Sequence, residues 1–112
     1  MKKVEAIINE TRMEEIRDLL TRLGVEGMTV SEVRGYGHEK GHTERYRSLQ
    51  HEYPYVRRLK VEIVVEDGRA PALVEELTRA TRTGRIGDGK IFVLPVDEAV
   101  RIRTRERGRD AL

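Results

Sequence analysis

Leu59–Thr81 reads LKVEIVVEDGRAPALVEELTRAT. Its two halves obey different periods, and that contrast sets the fold class. Leu59–Val65 (LKVEIVV) is dense in β-branched and apolar residues, as a strand with a buried face requires. Asp67 and Gly68 supply a turn. From Pro71 to Thr81 the apolar residues Leu73, Val74 and Leu77 recur at the spacing of one helical side. Ile91–Leu94 then returns to strand character.

Working outward, the first half of the chain follows the same order. Lys3–Ile8 (KVEAII) reads as a strand. Thr11, with Glu14 three residues on, has the pattern of a capping box. From Met13, the residues Ile16, Leu19, Leu20 and Leu23 mark a helical side that Gly24 ends. Asp18 and Arg22, four apart, predict a supporting pair on its exposed side. Met28–Val33 (MTVSEV) reads as a second strand ahead of Gly35 and Gly37. An echo ties the halves together. Lys3-Val4-Glu5 recurs as Lys60-Val61-Glu62, and Leu20-Thr21-Arg22 as Leu77-Thr78-Arg79, both at an offset of 57 (60 − 3 and 77 − 20). Strand–helix–strand twice over is βαββαβ. With right-handed crossovers this predicts an α+β, ferredoxin-like sandwich: four antiparallel strands, both helices on one face, and a long loop between strands 2 and 3. The other face would carry apolar residues, so the expectation is burial against further copies of the chain.

The gross numbers agree with one small domain spanning residues 1–112. There are 22 basic and 20 acidic residues, a net charge of +2, so no bulk attraction to nucleic acid is implied. Cysteine is absent, which removes disulfide and thiol chemistry. The beginning of the chain, MKKVEAIINETRMEE, places acidic residues where a signal peptide needs an apolar run, and no segment is apolar enough to span a bilayer. A cytoplasmic protein without direct membrane insertion is expected. No nucleophile–base set or close carboxylate pair stands out, so no enzymatic activity is expected.

Two segments carry function rather than fold. Residues 37–55 (GHEKGHTERYRSLQHEYPY) form a polar stretch with scattered tyrosine and arginine and almost no aliphatic residue, the composition of a partner-binding arm. Its histidines, His38, His42 and His51, are set between a transition-metal site and plain solvated polar residues. The second segment is Thr83–Val96, TGRIGDGKIFVLPV. Gly87, Asp88 and Gly89 leave the backbone uncrowded, so successive N–H groups can converge on an anion, and Lys90 adds a positive charge. Arg101 and Arg103, two residues apart beside Val100 and Ile102, would aim both guanidinium groups to one side of an extended chain. Together these suggest a polyphosphate site, set against a purely structural glycine turn. Residues 104–112, with Arg105, Arg107 and Arg109, read as a solvated tail.

These pieces coincide in the PII nitrogen-regulatory signal proteins, which the chain resembles along essentially its full length. The matching runs are MKKVEAII, VEGMTVSEVRGYG, KGHTERYR, TGRIGDGKIFVLPV and VRIRTRERG. The resemblance implies a homotrimer with ATP or ADP in the clefts between subunits. It implies that Gly87, Asp88, Gly89 and Lys90 cradle the phosphates with Arg101 and Arg103. Thr29, Glu62 and Val64 would line the base and ribose end, and Gly35, Gly37 and His38 the loop root. For 2-oxoglutarate it implies Glu39, Lys40, Gly41, Arg58 and Gly87, with magnesium held by Glu39 and the nucleotide phosphates. Tyr46, Arg47 and Tyr53 would meet partners such as an ammonium transporter or nitrogen-assimilation enzymes, with no nucleic acid involved.

This sequence departs from the family pattern in three places. Glu39 stands where glutamine is usual; it can still ligate magnesium but repels the carboxylates of 2-oxoglutarate. Arg58 replaces a lysine, keeping charge and altering reach. His51 occupies the position of the uridylylated tyrosine of many bacterial members, so that modification is not carried over. Two other readings stay beside this one: a ferredoxin-like RNA-binding module, and a scaffolding or metal-tolerance trimer. The first is opposed by the lack of paired sheet aromatics, since Phe92 is the only phenylalanine and tryptophan is absent.

Overall fold

The structure, a computed structural model, describes residues 1–36 and 55–112. Strand β1 (Lys2–Ile8) leads through a single 3-10 turn, Glu10–Arg12, into helix α1 (Met13–Arg22). Strands β2 (Thr29–Gly35) and β3 (Val56–Val65) follow, then helix α2 (Ala70–Thr81) and strand β4 (Lys90–Pro95). The sheet order is β2-β3-β1-β4 with every neighbouring pair antiparallel. Each helix therefore crosses over one intervening strand, as the doubled strand–helix–strand order demands. This is the ferredoxin-like arrangement that the repeat predicts.

Alternation along β1 and β3 sends Val4, Ala6, Ile8, Leu59, Val61, Ile63 and Val65 to the face that the helices cover. There they meet Ile16, Leu19, Leu20, Leu73 and Leu77, all buried. The echoed triplets occupy equivalent places. Leu20 and Leu77 are both in the core. Thr21 and Thr78 each donate their hydroxyl back one turn, to Arg17 O at 3.0 Å and Val74 O at 2.8 Å. Arg22 and Arg79 converge on Glu76, at 3.3 and 3.2 Å, which joins the two helices. Arg22 thus serves an interhelical contact rather than the pairing with Asp18 that spacing suggested.

Helix α1 starts differently from expectation. The capping side chain is Asn9, whose Oδ1 accepts from Thr11 N at 3.0 Å, because the 3-10 turn places Thr11 already inside the helical run. Its end is as read. Gly24 adopts φ 69°, and the N–H groups of Gly24 and Val25 close onto Thr21 O and Leu20 O at 3.1 and 2.9 Å.

The open face of the sheet corrects the expectation of an apolar surface. Its middle is occupied by the charged members of the echoed KVE triplets. Antiparallel register sets Glu5 opposite Glu62 and places a lysine diagonally from each. Lys3 Nζ lies 3.7 Å from Glu62, and Lys60 Nζ lies 3.6 Å from Glu5 and 3.4 Å from Glu62. Apolar side chains surround this network, with Phe92 49% and Leu94 36% exposed. The face is therefore mixed, and its oiliness alone does not argue for association.

Candidate functional site

The glycine loop before β4 is built by Asp88. Its carboxylate accepts from Thr83 N and Gly84 N, each at 2.9 Å, and from the Thr83 hydroxyl. The Thr83 hydroxyl, then the Thr83 and Gly84 amides, stabilise the charged form and hold the Asp88 carboxyl below the usual carboxylate range. Gly84, Gly87 and Gly89 all have positive φ, at 83°, 105° and 98°. Gly89 is required on a second count: a Cβ there would lie 1.8 Å from the carbonyl oxygen of Ile7. The reading that these glycines leave the backbone uncrowded fails at Gly89, where β1 takes up the space. Asp88 likewise faces its own loop. The amides of Ile86 and Gly87 carry no hydrogen bond among the described residues, and Lys90 is exposed at the start of β4. An anion meeting this loop would find those donors.

Below the loop, Gly87 and Asp88 share a pocket of about 270 Å³ with Arg58, Arg12 and Arg85. Burial lowers the Arg58 pKa somewhat, and its guanidinium stays protonated. Arg58 and Gly87, two of the residues implied for 2-oxoglutarate, are thus brought together. Arg12 and Arg85 were not singled out from the sequence; folding alone carries them there. Gly35 ends β2 opposite Val56. Gly37, His38, Glu39, Lys40, Gly41, Tyr46, Arg47 and Tyr53 lie outside the described residues.

Thr29, Glu62 and Val64 line a different cleft, of about 580 Å³, walled by Gly24–Met28, Arg69, Arg109 and Leu112. Register fixes the separation of the two sets. Lys90 pairs with Ile7 on the β4 edge, and Thr29 pairs with Glu62 on the β2 edge. Three inter-strand spacings, about 14 Å, lie between those edges. Within one chain the glycine loop and the Thr29 cleft stand at opposite edges of the sheet.

Arg101 and Arg103 are not on a strand. Val100 bridges to Arg107, and the chain between them turns, with Arg105 at φ 66° and its N–H bonded to Arg101 O at 2.8 Å. The extended chain that would aim both guanidinium groups to one side is therefore absent. Arg101 reaches Leu112 O at 3.0 Å and the Glu106 carboxylate at 3.8 Å. Residues 104–112 are correspondingly no frayed tail. A 3-10 turn, Gly108–Ala111, is tied down by Gly108 N on Ala99 O at 2.9 Å and by Arg109 to Glu66 at 3.8 Å. Through Leu112, Arg101 belongs with the Thr29 cleft.

The family model for "Nitrogen regulatory protein P-II" matches residues 1–106. The chain belongs to the PII family. Nitrogen regulatory protein P-II of Synechocystis sp. is 52% identical over 112 residues, covering all of both chains. That of Azospirillum brasilense is 47% identical over the same length, again covering all of both chains. Among solved structures, the crystal structure of Arabidopsis thaliana PII bound to citrate matches with a TM-score of 0.83 and 40% identity, covering 99% of this chain and 91% of that one. PII proteins are signal transducers and not enzymes, and the present chain is one of them. Among the described residues no helix is long and apolar enough to cross a membrane.

Proposed function

We propose that this PII chain reports adenine-nucleotide state, ATP against ADP, to the machinery of nitrogen assimilation, acting in the cytoplasm as a homotrimer. The observation that carries the reading is the division of its candidate binding residues between opposite sheet edges. A loop with open amides and Lys90 stands on one edge, and a cleft with Thr29, Glu62 and Val64 stands near the other. Neither half is a site alone, and juxtaposing two copies completes one. In that cleft Thr29 and Glu62 offer polar groups to a base and ribose, and Val64 offers an apolar wall. Lys90, the Ile86 and Gly87 amides, and Arg101 and Arg103 would take the phosphates.

The same reading gives the loop 37–55 to target proteins, through Tyr46, Arg47 and Tyr53, an ammonium transporter or a nitrogen-metabolism enzyme being the expected class. It gives 2-oxoglutarate to Arg58 and Gly87 with Glu39, Lys40 and Gly41, and magnesium to Glu39. The pocket that joins Arg58 to Gly87 supports the first of these. The RNA-binding alternative finds no support on the open face, where ion pairs occupy the centre and Phe92 is the lone ring.

Calorimetric titration with ATP, ADP and AMP tests the reading. ATP and ADP should bind more tightly than AMP, and Lys90→Ala should weaken ATP by about 10- to 100-fold, the loss of a charged hydrogen bond. Absence of binding at millimolar ATP would overturn it. Titrating 2-oxoglutarate into the Mg-ATP form then examines the second effector, and Glu39→Gln should tighten it by removing a like charge.

A further inference from the structure

Toward the Gly35↔Val56 pair, where β2 and β3 end, the two strands form a ribbon whose composition is unusual. Arg34 lies directly opposite Arg57 in the register. Like charges in that relation repel each other. Both are exposed, and neither pairs with a carboxylate among the described residues, although Glu32 shares their side of the ribbon. One step past the Gly35↔Val56 pair, Tyr36 and Tyr55 face each other with ring centroids 6.0 Å apart and planes tilted by 58°. They are 76% and 59% exposed. Alternation puts both arginines and both tyrosines on the helix-side face. Leu59 is the last buried residue of β3, so this patch begins about 7 Å past the core and contributes nothing to it.

A repelling pair beside two solvent-exposed rings is costly to the isolated fold, and the arrangement makes sense as a surface waiting for an opposite charge. We infer that Arg34, Arg57, Tyr36 and Tyr55 form a docking surface for an acidic segment of a target protein. The two guanidinium groups take its carboxylates, and the ring pair covers the adjoining backbone or apolar side chain. Charge selects this occupant. A second copy would present the same two cations. The chain's own loop, residues 37–54, balances Glu39, Glu44 and Glu52 against Lys40, Arg45 and Arg47 and so offers no net negative charge. The inference rests on the proposal that the chain signals through target proteins, and it adds the chemistry of their contact.

The test uses the full chain, 15N-labelled, titrated with a blocked hexaglutamate peptide and with a glycine–serine peptide of equal length. Hexaglutamate should shift the amides of residues 34–36 and 55–57, with affinity falling at least tenfold between about 50 and 200 mM salt. The double variant Arg34→Gln/Arg57→Gln should lose at least tenfold in affinity while its melting temperature rises by about 1–3 °C, because the repulsion has gone. A merely structural role would lower the melting temperature instead. Shifts confined to Arg101–Arg109, equal response to the neutral peptide, or unchanged affinity in the double variant would each overturn the inference. Response of the loop 37–54 alone, or a change of oligomeric state on titration, would overturn it in favour of the other occupants. ATP titration of the same sample keeps the two proposals apart, since failure to bind nucleotide counts against the nucleotide reading whatever the peptide does.

Discussion

Gly89 and Asp88 are adjacent, both look like ligand residues in a glycine-rich loop, and each also has a part inside the fold. Gly89 permits the backbone of β1 to pass where a side chain would stand, 1.8 Å from Ile7 O, and it holds φ 98°. Gly89→Ala should therefore part β4 from β1 at its first residues and destabilise the chain by about 2–4 kcal/mol, measured by urea unfolding. Gly84→Ala makes an informative contrast. It has a similar φ with nothing within 4 Å of a new Cβ, so it should cost only the left-handed backbone penalty, about 1 kcal/mol. Asp88 adds a pH dependence. Its folded pKa is depressed, so its contribution is complete above its unfolded value of about 3.9 and is lost as pH falls through the lower, folded value. The Thr83 and Gly84 amide resonances should hold steady at pH 5 and above and move with a midpoint below about 3.9. A midpoint at or above the unfolded value would mean that the carboxylate does not order the loop.

At the scale of elements, six strands and helices were legible because each has a period of its own and a punctuating residue, Gly24 and Pro71 being the clearest. The echo between the halves even anticipates the matched roles of Thr21 with Thr78 and Arg22 with Arg79. Boundaries were less legible. β3 begins at Val56 rather than Leu59, because Arg57 and Arg58 disguise a strand that is solvated there. The segment from Arg101 onward misled outright. Alternating arginines read as extended chain, whereas the turn depends on Arg105 at φ 66°, a conformation that no residue type there announces. The result is a self-contact, Arg101 against Glu106 and Leu112 O. If Arg101 is to take a phosphate, Glu106 must yield it. Glu106→Gln should accordingly tighten ATP by about 3- to 10-fold, a fraction of an exposed-pair energy plus relieved repulsion. Arg101→Ala should abolish that gain. An unchanged affinity in Glu106→Gln would show that the contact does not compete.

At the scale of the molecule, the open face is a poor guide to assembly, and the proposed split site makes a sharper prediction. Family membership and the sandwich could be read from the residues; the distance between the two half-sites could not, since it depends on which strands end at which edge. That distance permits a decisive mixing experiment. Lys90→Ala damages the loop half and Glu62→Ala the cleft half, and each pure variant should lack high-affinity ATP sites. Glu62 sits in an ion network that keeps the Lys60–Glu5 pair when Glu62 is removed, so the substitution should leave the fold intact. If a site takes its loop from one copy and its cleft from the next, co-refolding equal amounts of the two variants regenerates intact sites. One cleft in about four then combines a sound Lys90 from one parent with a sound Glu62 from the other, given random closed assembly. Calorimetry should recover about a quarter of the wild-type stoichiometry at wild-type affinity. A site contained within a single chain predicts none, because every copy in the mixture carries one defect. Recovery of no sites, alongside wild-type protein that binds ATP, would return the nucleotide to one subunit and remove the reason for two edges to meet.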